Sequence, residues 1–138
     1  MRKAELGAIF KVGQRRARHS GFTLVELLVV MAIIAVLLSI AVPKYFNSLE
    51  RSKEAVLRQD LNVMRDAIDK FYSDIGKYPS DLAELVEKRY LRAIPVDPMT
   101  ESAETWVAVP PPDSTDGVYD VRSGATEQEK DGVSYATW

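Results

Sequence analysis

Glu26 is a lone carboxylate inside an apolar stretch that extends from Phe22 to Val42. A carboxylate at the centre of a bilayer costs roughly 2.5–3.5 kcal/mol, so an acidic residue in such a stretch needs a partner and indicates function by default. A simpler interpretation is that Glu26 only favours the positive end of the helix dipole, an interaction of about 0.3–1 kcal/mol. The first interpretation is the stronger one, and the segments around Glu26 decide what the partner is.

The run Gly21-Phe22-Thr23-Leu24-Val25-Glu26 follows a basic leader and opens the apolar stretch. It resembles the amino-terminal motif of type IV prepilins and of their type II secretion relatives, the pseudopilins. The resemblance implies that a membrane-embedded prepilin peptidase removes residues 1–21 by cutting between Gly21 and Phe22, and that the same enzyme N-methylates Phe22. The new ammonium of Phe22 would then be neutralised by Glu26 of a neighbouring subunit during assembly.

Charge is unevenly distributed along the 138 residues. Residues 1–21 carry six basic side chains against one acidic one, so they hold +5 of a total of −2 and leave about −7 for the remainder. The positive-inside rule therefore places the leader in the cytoplasm and the rest beyond the membrane. A secretory signal peptide is cut after its apolar region, whereas this motif precedes the apolar region, so the helix is retained. The acidity of the remainder disfavours a nucleic-acid partner.

Residues 22–42 form the predicted transmembrane and filament-core helix. At about 1.5 Å per residue they span roughly 30 Å, which is enough to cross a bilayer. Pro43 removes a backbone donor and predicts a kink in a helix that continues beyond it.

A narrow apolar stripe follows at alternating steps of three and four residues, which is typical of a helix packed on a core. Gly76 is the predicted end of this helix, and Asp81 is the predicted N-cap of a short helix over residues 81–89. Short strands are predicted at residues 105–109, 117–121 and 133–138, with their aromatic residues in the core. The stripe consists of Leu57, Leu61, Met64, Ile68, Phe71 and Ile75.

These elements predict an α+β fold in which a long kinked amino-terminal helix packs on a small antiparallel sheet, with residues 43–138 as the head. The carboxy-terminal half resembles the G-type major pseudopilin of type II secretion in particular. The matching segments keep the family order and include Gly76-Lys77-Tyr78-Pro79, Ile94-Pro95-Val96-Asp97-Pro98, Tyr119-Asp120-Val121 and Trp138. The absence of cysteine agrees with this group, since many adhesive type IV pilins close a loop with a disulfide.

The resemblance also implies a calcium ion in the loop before the last strand, which corresponds to residues 122–134. Ser123 and Asp131 are the candidate ligands there, and calcium is the one candidate cofactor. This loop is one residue shorter than is typical of the family and has Thr126 where the first aspartate is expected. An exposed acidic loop is also commonly a solvated surface, so both interpretations of it remain open.

No nucleophile and base pair, phosphate loop or metal spacing appears, so an enzyme is not expected. The resemblance implies a single-pass inner-membrane protein with a periplasmic head, which polymerises into a periplasmic pseudopilus that drives export of folded proteins. Its partners would be other copies of itself, membrane lipid before assembly, the prepilin peptidase and methyltransferase, an assembly platform with its cytoplasmic ATPase, and minor pseudopilins. A type IV pilin for motility, adhesion or DNA uptake, and a membrane-tethered binding domain, are the alternatives.

Overall fold

A computed structural model of the chain describes residues 21–126 and 132–138. In chain order the elements are α1 (Leu24–Ile75), α2 (Leu82–Glu87), β1 (Val107–Val109), β2 (Asp120–Arg122) and a 3-10 turn (Tyr135–Thr137). The chain divides into two compact units, one ending at Ile40 and one from Ala41 to Trp138.

Helix α1 is 52 residues long and continues through Pro43. It ends at Ile75, where Gly76 adopts a φ of +77° and donates its N–H to the carbonyl of Tyr72 at 2.8 Å. Glycine suits this position because a left-handed backbone costs it little. The predicted helix end is confirmed, whereas the kink at Pro43 stays a prediction.

The apolar stripe of α1 forms the centre of the core of the second unit. Five of its six predicted members are buried, from Leu57 to Phe71, whereas Ile75 is exposed at the end of the helix. Leu85 of α2 and Val121 of β2 pack on the same cluster. The spacing of the stripe therefore predicted the buried face correctly as far as Phe71.

The sheet is a two-stranded antiparallel ribbon in which Val107 pairs with Arg122 and Val109 with Asp120. Both strands are shorter than predicted. The prediction of a strand at residues 133–138 was wrong, because residues 135–137 form a 3-10 turn that is capped by the side chain of Ser134. Its aromatic residues still face inward, since Tyr135 is buried and Trp138 packs against the core.

Helix α2 begins where the sequence indicated, because the Asp81 carboxylate accepts a hydrogen bond from the N–H of Glu84 at 2.8 Å. The α+β architecture is therefore confirmed: a long apolar amino-terminal helix whose later turns pack against a small antiparallel sheet. This is the pilin fold.

Candidate functional site

The start of α1 is organised by a reciprocal hydrogen-bond pair between Thr23 and Glu26. The Thr23 N–H donates to Glu26 Oε2 at 2.7 Å, and the Glu26 N–H donates to Thr23 Oγ1 at 3.2 Å. This is a capping box, in which a threonine and a glutamate three residues apart satisfy amide groups that the helix leaves unpaired. The Thr-x-x-Glu spacing in the sequence is the signal that could have predicted this cap.

The cap occupies one of the two carboxylate oxygens of Glu26. The hydroxyl of Thr23 also donates to Oε2, at 3.0 Å, so both contacts from Thr23 reach the same oxygen. Within the described residues, Oε1 accepts no hydrogen bond. A carboxylate has about four lone-pair sites, so Glu26 can cap its own helix and accept a second donor at Oε1.

The apolar side chains that follow Glu26 are exposed throughout the first unit. Residues 21–40 are all exposed, and Phe22 reaches 93%. In the described part of the chain, one helix is long and apolar enough to cross a membrane, judged by its length and composition. None of its most apolar window is buried within the chain, so a core helix of a soluble protein is a poor description of this segment.

Ser39 is the other polar side chain of this segment, and it is internally satisfied. Its hydroxyl donates to the carbonyl of Val36 at 2.7 Å, one turn earlier in the helix. A hydroxyl bonded in this way presents little polarity to its surroundings. Glu26 is therefore the charged group of this segment, and its Oε1 accepts no hydrogen bond within the described residues.

Gly21 and Phe22, the predicted cleavage site, immediately precede the capping box and are exposed. Cleavage between them would leave the Thr23 amide in place, because that amide belongs to the next peptide bond. The cap that Glu26 provides would therefore persist in a chain that begins at Phe22.

Ser123 lies in the core and not on an open loop. Its hydroxyl donates to Oδ2 of Asp97 at 2.5 Å and accepts from the Ala125 N–H at 3.1 Å, and both Ser123 and Asp97 are fully buried. The other candidate calcium ligand, Asp131, lies outside the described residues. No group of three or more His, Cys, Asp or Glu side chains suitable for a metal occurs within residues 21–126 and 132–138. Calcium binding stays a prediction.

The Asp97 and Ser123 pair is a structural feature that the sequence analysis missed. Oδ1 of Asp97 accepts from the Met99 N–H at 2.8 Å, and the Asp97 backbone bridges to Ser102. Asp60 of α1 lies near this buried carboxylate. Burial, and secondarily the charge of Asp97, raise the pKa of Asp60 above its ordinary value. The proline-flanked Asp97 could have suggested a fixed turn, but its partner 26 residues away could not be read from the sequence.

Arg65 is a second residue whose role was not predicted from the sequence, and it links three parts of the second unit. Its guanidinium donates to Oδ1 of Asp120 at 2.7 Å, to the carbonyl of Val121 at 3.1 Å and to the carbonyl of Trp138 at 2.7 Å. A planar guanidinium suits this role because its donors diverge in a fixed geometry. Arg65 therefore joins α1 to β2 and to the carboxy-terminal turn.

Comparison with known proteins gives two kinds of match. Residues 16–42 match the prokaryotic N-terminal methylation motif. Over 100 residues the chain is 32% identical to the type II secretion system core protein G of Pseudomonas aeruginosa, covering 61% of this chain and 70% of that protein. Over 128 residues the chain is 29% identical to the type II secretion system core protein G of Escherichia coli, covering 81% of this chain and 85% of that protein.

A type IV pilin also matches, over a shorter region. The type IV major pilin protein PilA of Myxococcus xanthus is 37% identical over 73 residues, which is 53% of this chain and 33% of that protein. No solved structure matches the chain at a significant level. The matches to core protein G extend over most of the relatives' length, with the methylation motif at the expected position. The chain therefore belongs to the pilin-like family of the type II secretion system core protein G.

Proposed function

We propose that this protein is the structural subunit of a type II secretion pseudopilus, cut after Gly21, N-methylated at Phe22 and assembled through its first helix. The observation that carries the proposal is the segment from Leu24 to Ile40, which is apolar, exposed along its whole length and interrupted by one carboxylate. Such a surface must be buried against lipid or against other helices. In an assembled filament, neighbouring copies replace the lipid.

Glu26 gives this assembly its register. The ammonium of a newly cut Phe22 and the free Oε1 of Glu26 in a neighbouring copy have opposite charges, and their attraction is strong where water is excluded. The cap through Oε2 keeps the helix start ordered while Oε1 binds the neighbour. N-methylation retains the charge on the amine. Head-to-tail contacts that do not close into a ring then produce a helical fibre.

Under this proposal the partners are those of a secretion machine. A prepilin peptidase prepares the chain, and an inner-membrane platform with a cytoplasmic ATPase inserts subunits below minor pseudopilins at the tip. The anchor occupies the inner membrane once, and residues 43–138 lie in the periplasm. The protein itself catalyses no reaction, in agreement with a family of structural subunits.

A type IV pilin for motility, adhesion or DNA uptake is the second candidate. The similarity to PilA supports it, although that similarity covers only 33% of PilA. The longer matches to core protein G favour secretion. A membrane-tethered binding domain would explain the anchor and the helix cap but would give Oε1 of Glu26 no role.

The test is filament assembly by the full chain, produced with its peptidase and platform, in three variants. Glu26→Ala removes both the cap and the charge, whereas Glu26→Gln keeps a capping oxygen and removes the charge. We expect both to lower filament yield by about tenfold or more, since an ion pair in a dry interface is lost. Ser39→Ala, whose hydroxyl is satisfied by Val36, should assemble like the wild type.

Intact mass of the extracted protein supplies the second readout. A chain that begins at a methylated Phe22 is expected. An uncut chain would contradict the proposal. Filaments in normal yield from Glu26→Gln would also contradict it, and would favour the interpretation in which Glu26 serves only the helix end. Loss of protein secretion on gene disruption, with motility intact, would separate the secretion function from that of a type IV pilin.

A further inference from the structure

Charge is segregated along the part of α1 that belongs to the second unit. Residues 41–59 carry four basic and two acidic side chains, a net charge of +2, whereas residues 60–75 carry two basic and four acidic ones, a net charge of −2. Lys44 and Arg51 are exposed, and neither makes an ion pair or hydrogen bond within the described residues. The earlier turns of the helix therefore present unpaired positive charge.

The acidic end of α1 is not explained by helix stability. The last turn contains no basic residue and includes Asp74. Because the carboxyl end of a helix is the negative end of its dipole, acidic residues there are unfavourable. Asp74 accepts a hydrogen bond from the Tyr90 hydroxyl at 2.7 Å, whereas the Asp69 carboxylate accepts none from residues 21–126 and 132–138. A second role for this negative charge is therefore to be sought outside the chain.

A groove of about 550 Å³ lies beside this acidic end. Tyr72 and Tyr78 line the groove, and their rings stack with centroids 4.4 Å apart. Tyr119, which is not one of the lining residues, meets the Tyr78 ring edge-on at 5.5 Å. The far wall of the groove is the turn that carries Asp113 and Asp116. Tyr119 is half exposed, so the prediction that the aromatic residues of the strands are in the core was wrong for this one.

The wall of the groove is held in place by close backbone contacts. The Val118 N–H donates to the carbonyl of Pro79 at 2.8 Å. Gly117 has a φ of +100°, and a Cβ there would lie 3.1 Å from the Cβ of Tyr78, so the turn approaches the tyrosine as closely as glycine allows. The groove is therefore formed before any partner binds.

The carboxylates of the wall are available. The side chains of Asp113 and Asp116 make no hydrogen bond or ion pair within the described residues, whereas Glu84 is occupied by the N–H and hydroxyl of Ser80. These two hydrogen bonds hold the pKa of Glu84 below its usual value, so it is ionised at neutral pH. The lining contains three acidic residues, Glu84, Asp113 and Asp116, and one basic residue, Lys77. The groove therefore carries a net charge of −2. Aromatic faces beside carboxylates favour a lysine or arginine side chain.

We propose that this groove binds the Arg51 side chain of α1 from a second copy of the chain. The proposal rests on the pseudopilus function above and names one of its contacts between subunits. Arg51 lies 24 residues before Ile75, about 36 Å away along the helix axis at 1.5 Å per residue. The donor and the acceptor surfaces therefore lie at opposite ends of one unit, which is what a repeating head-to-tail contact requires.

Electrostatics favours another copy as the occupant. A chain without its leader carries about −7 by the count above, so copies repel one another unless local charges are matched. An unpaired Arg51 beside the acidic groove of a neighbour supplies such a match, and it also fixes the axial offset between the two copies. Opposite charges at the two ends select that offset over others.

Cross-linking tests the contact directly because the chain contains no cysteine. In filaments of the Arg51→Cys, Asp116→Cys double variant, oxidation should join neighbouring copies into a ladder of covalent multimers. The matched control pairs Arg51→Cys with Ala108→Cys, an exposed position on β1 away from the groove, and should give no ladder. Filaments that form normally but give no ladder from the first pair, or equal ladders from both pairs, would overturn the proposal.

Charge reversal provides the second readout. Asp113→Lys with Asp116→Lys should lower filament yield roughly two- to fivefold, the effect of losing an exposed charge pair at each contact. Adding Arg51→Glu to that variant should restore the yield. Lack of rescue, in a chain that is cut, folded and able to assemble when unmodified, would contradict this contact and leave the pseudopilus function standing. Failure of the unmodified chain to form filaments would contradict the function itself.

Discussion

Two stretches of helix α1 differ in the exposure of their apolar residues. From Leu24 to Ile40 every side chain is exposed, whereas from Leu57 to Phe71 a stripe at helical spacing is buried. The first stretch is apolar on all faces, and the second is apolar on one face with charges on the others. A helix that is apolar all round is typical of a membrane or a filament core, and an amphipathic helix is typical of a domain surface. The pattern of hydrophobicity therefore indicates what buries the apolar residues of each stretch: lipid or other helices for the first, and the chain's own core for the second.

The largest contrast should come from truncating one apolar side chain in each stretch. Phe71 is fully buried and meets the Tyr90 ring at 5.3 Å, so Phe71→Ala should lower the free energy of unfolding by about 3–5 kcal/mol. Ile33→Ala, at an exposed position, should change it by less than about 0.5 kcal/mol. Urea unfolding of the detergent-solubilised full chain, followed by the fluorescence of Trp106 and Trp138, measures both. Equal losses would mean that the first stretch also contributes to the folded head.

A smaller contrast is expected among the charges of the second stretch. Arg65→Ala removes three hydrogen bonds that hold β2 and the carboxy-terminal turn, and should cost about 1.5–3 kcal/mol. The matched variant Lys70→Ala breaks an exposed ion pair with Asp66 and should cost less than about 0.5 kcal/mol. The same unfolding assay applies. If Arg65→Ala lowered the free energy of unfolding as little as Lys70→Ala, the apolar stripe alone would hold the rest of the second unit on α1.

The smallest effect concerns Asp60, and its sign is opposite. Burial and the nearby charge of Asp97 raise its pKa, so ionised Asp60 destabilises the folded state at neutral pH. Asp60→Asn should therefore increase the free energy of unfolding at pH 7, by less than about 1 kcal/mol. The gain should shrink as the pH falls through the raised pKa and vanish below the unfolded value of 3.8, where the wild-type carboxyl is also protonated in both states.

The control for Asp60 is another aspartate of the same helix. Asp66 is exposed and paired with Lys70, so Asp66→Asn should leave stability at pH 7 unchanged or slightly lower. Unfolding curves at pH 7 and at pH 3.5 decide the comparison. A loss of stability in Asp60→Asn at pH 7 would mean that the charged form of Asp60 is favourable in the folded head.

The sequence predicted what depends on periodicity and local capping. The buried stripe, the helix end at Gly76 and the N-cap at Asp81 follow from interactions within a few residues, and all three are confirmed. The strand predicted at residues 133–138 failed because alternation of apolar residues does not distinguish a short strand from a turn that places Tyr135 and Trp138 on the core. Asp97 with Ser123, and Arg65 with Asp120, join distant segments, which local patterns do not encode.

For the candidate site, the motif around Glu26 was readable because its residues are contiguous, and the matched methylation motif covers it. The atomic positions were needed to show that Thr23 donates to Oε2 of Glu26 and leaves Oε1 without a hydrogen bond within the described residues. The loop predicted to bind calcium shows the opposite situation. Ser123 has an acceptor in Asp97, and Asp131 lies outside the described residues, so the residue types permitted a site without specifying its geometry.

The contacts of α1 with the carboxy-terminal turn determine when the head can fold. Arg65 reaches Trp138 across 73 residues, and Glu54 accepts a hydrogen bond from the Tyr135 hydroxyl across 81 residues. Helices form quickly, whereas contacts between distant segments form late in folding and during synthesis. The stripe from Leu57 to Phe71 therefore remains uncovered while residues 118–138 are being synthesised. During this interval the nascent chain exposes a second apolar surface and is most vulnerable to proteolysis and to aggregation.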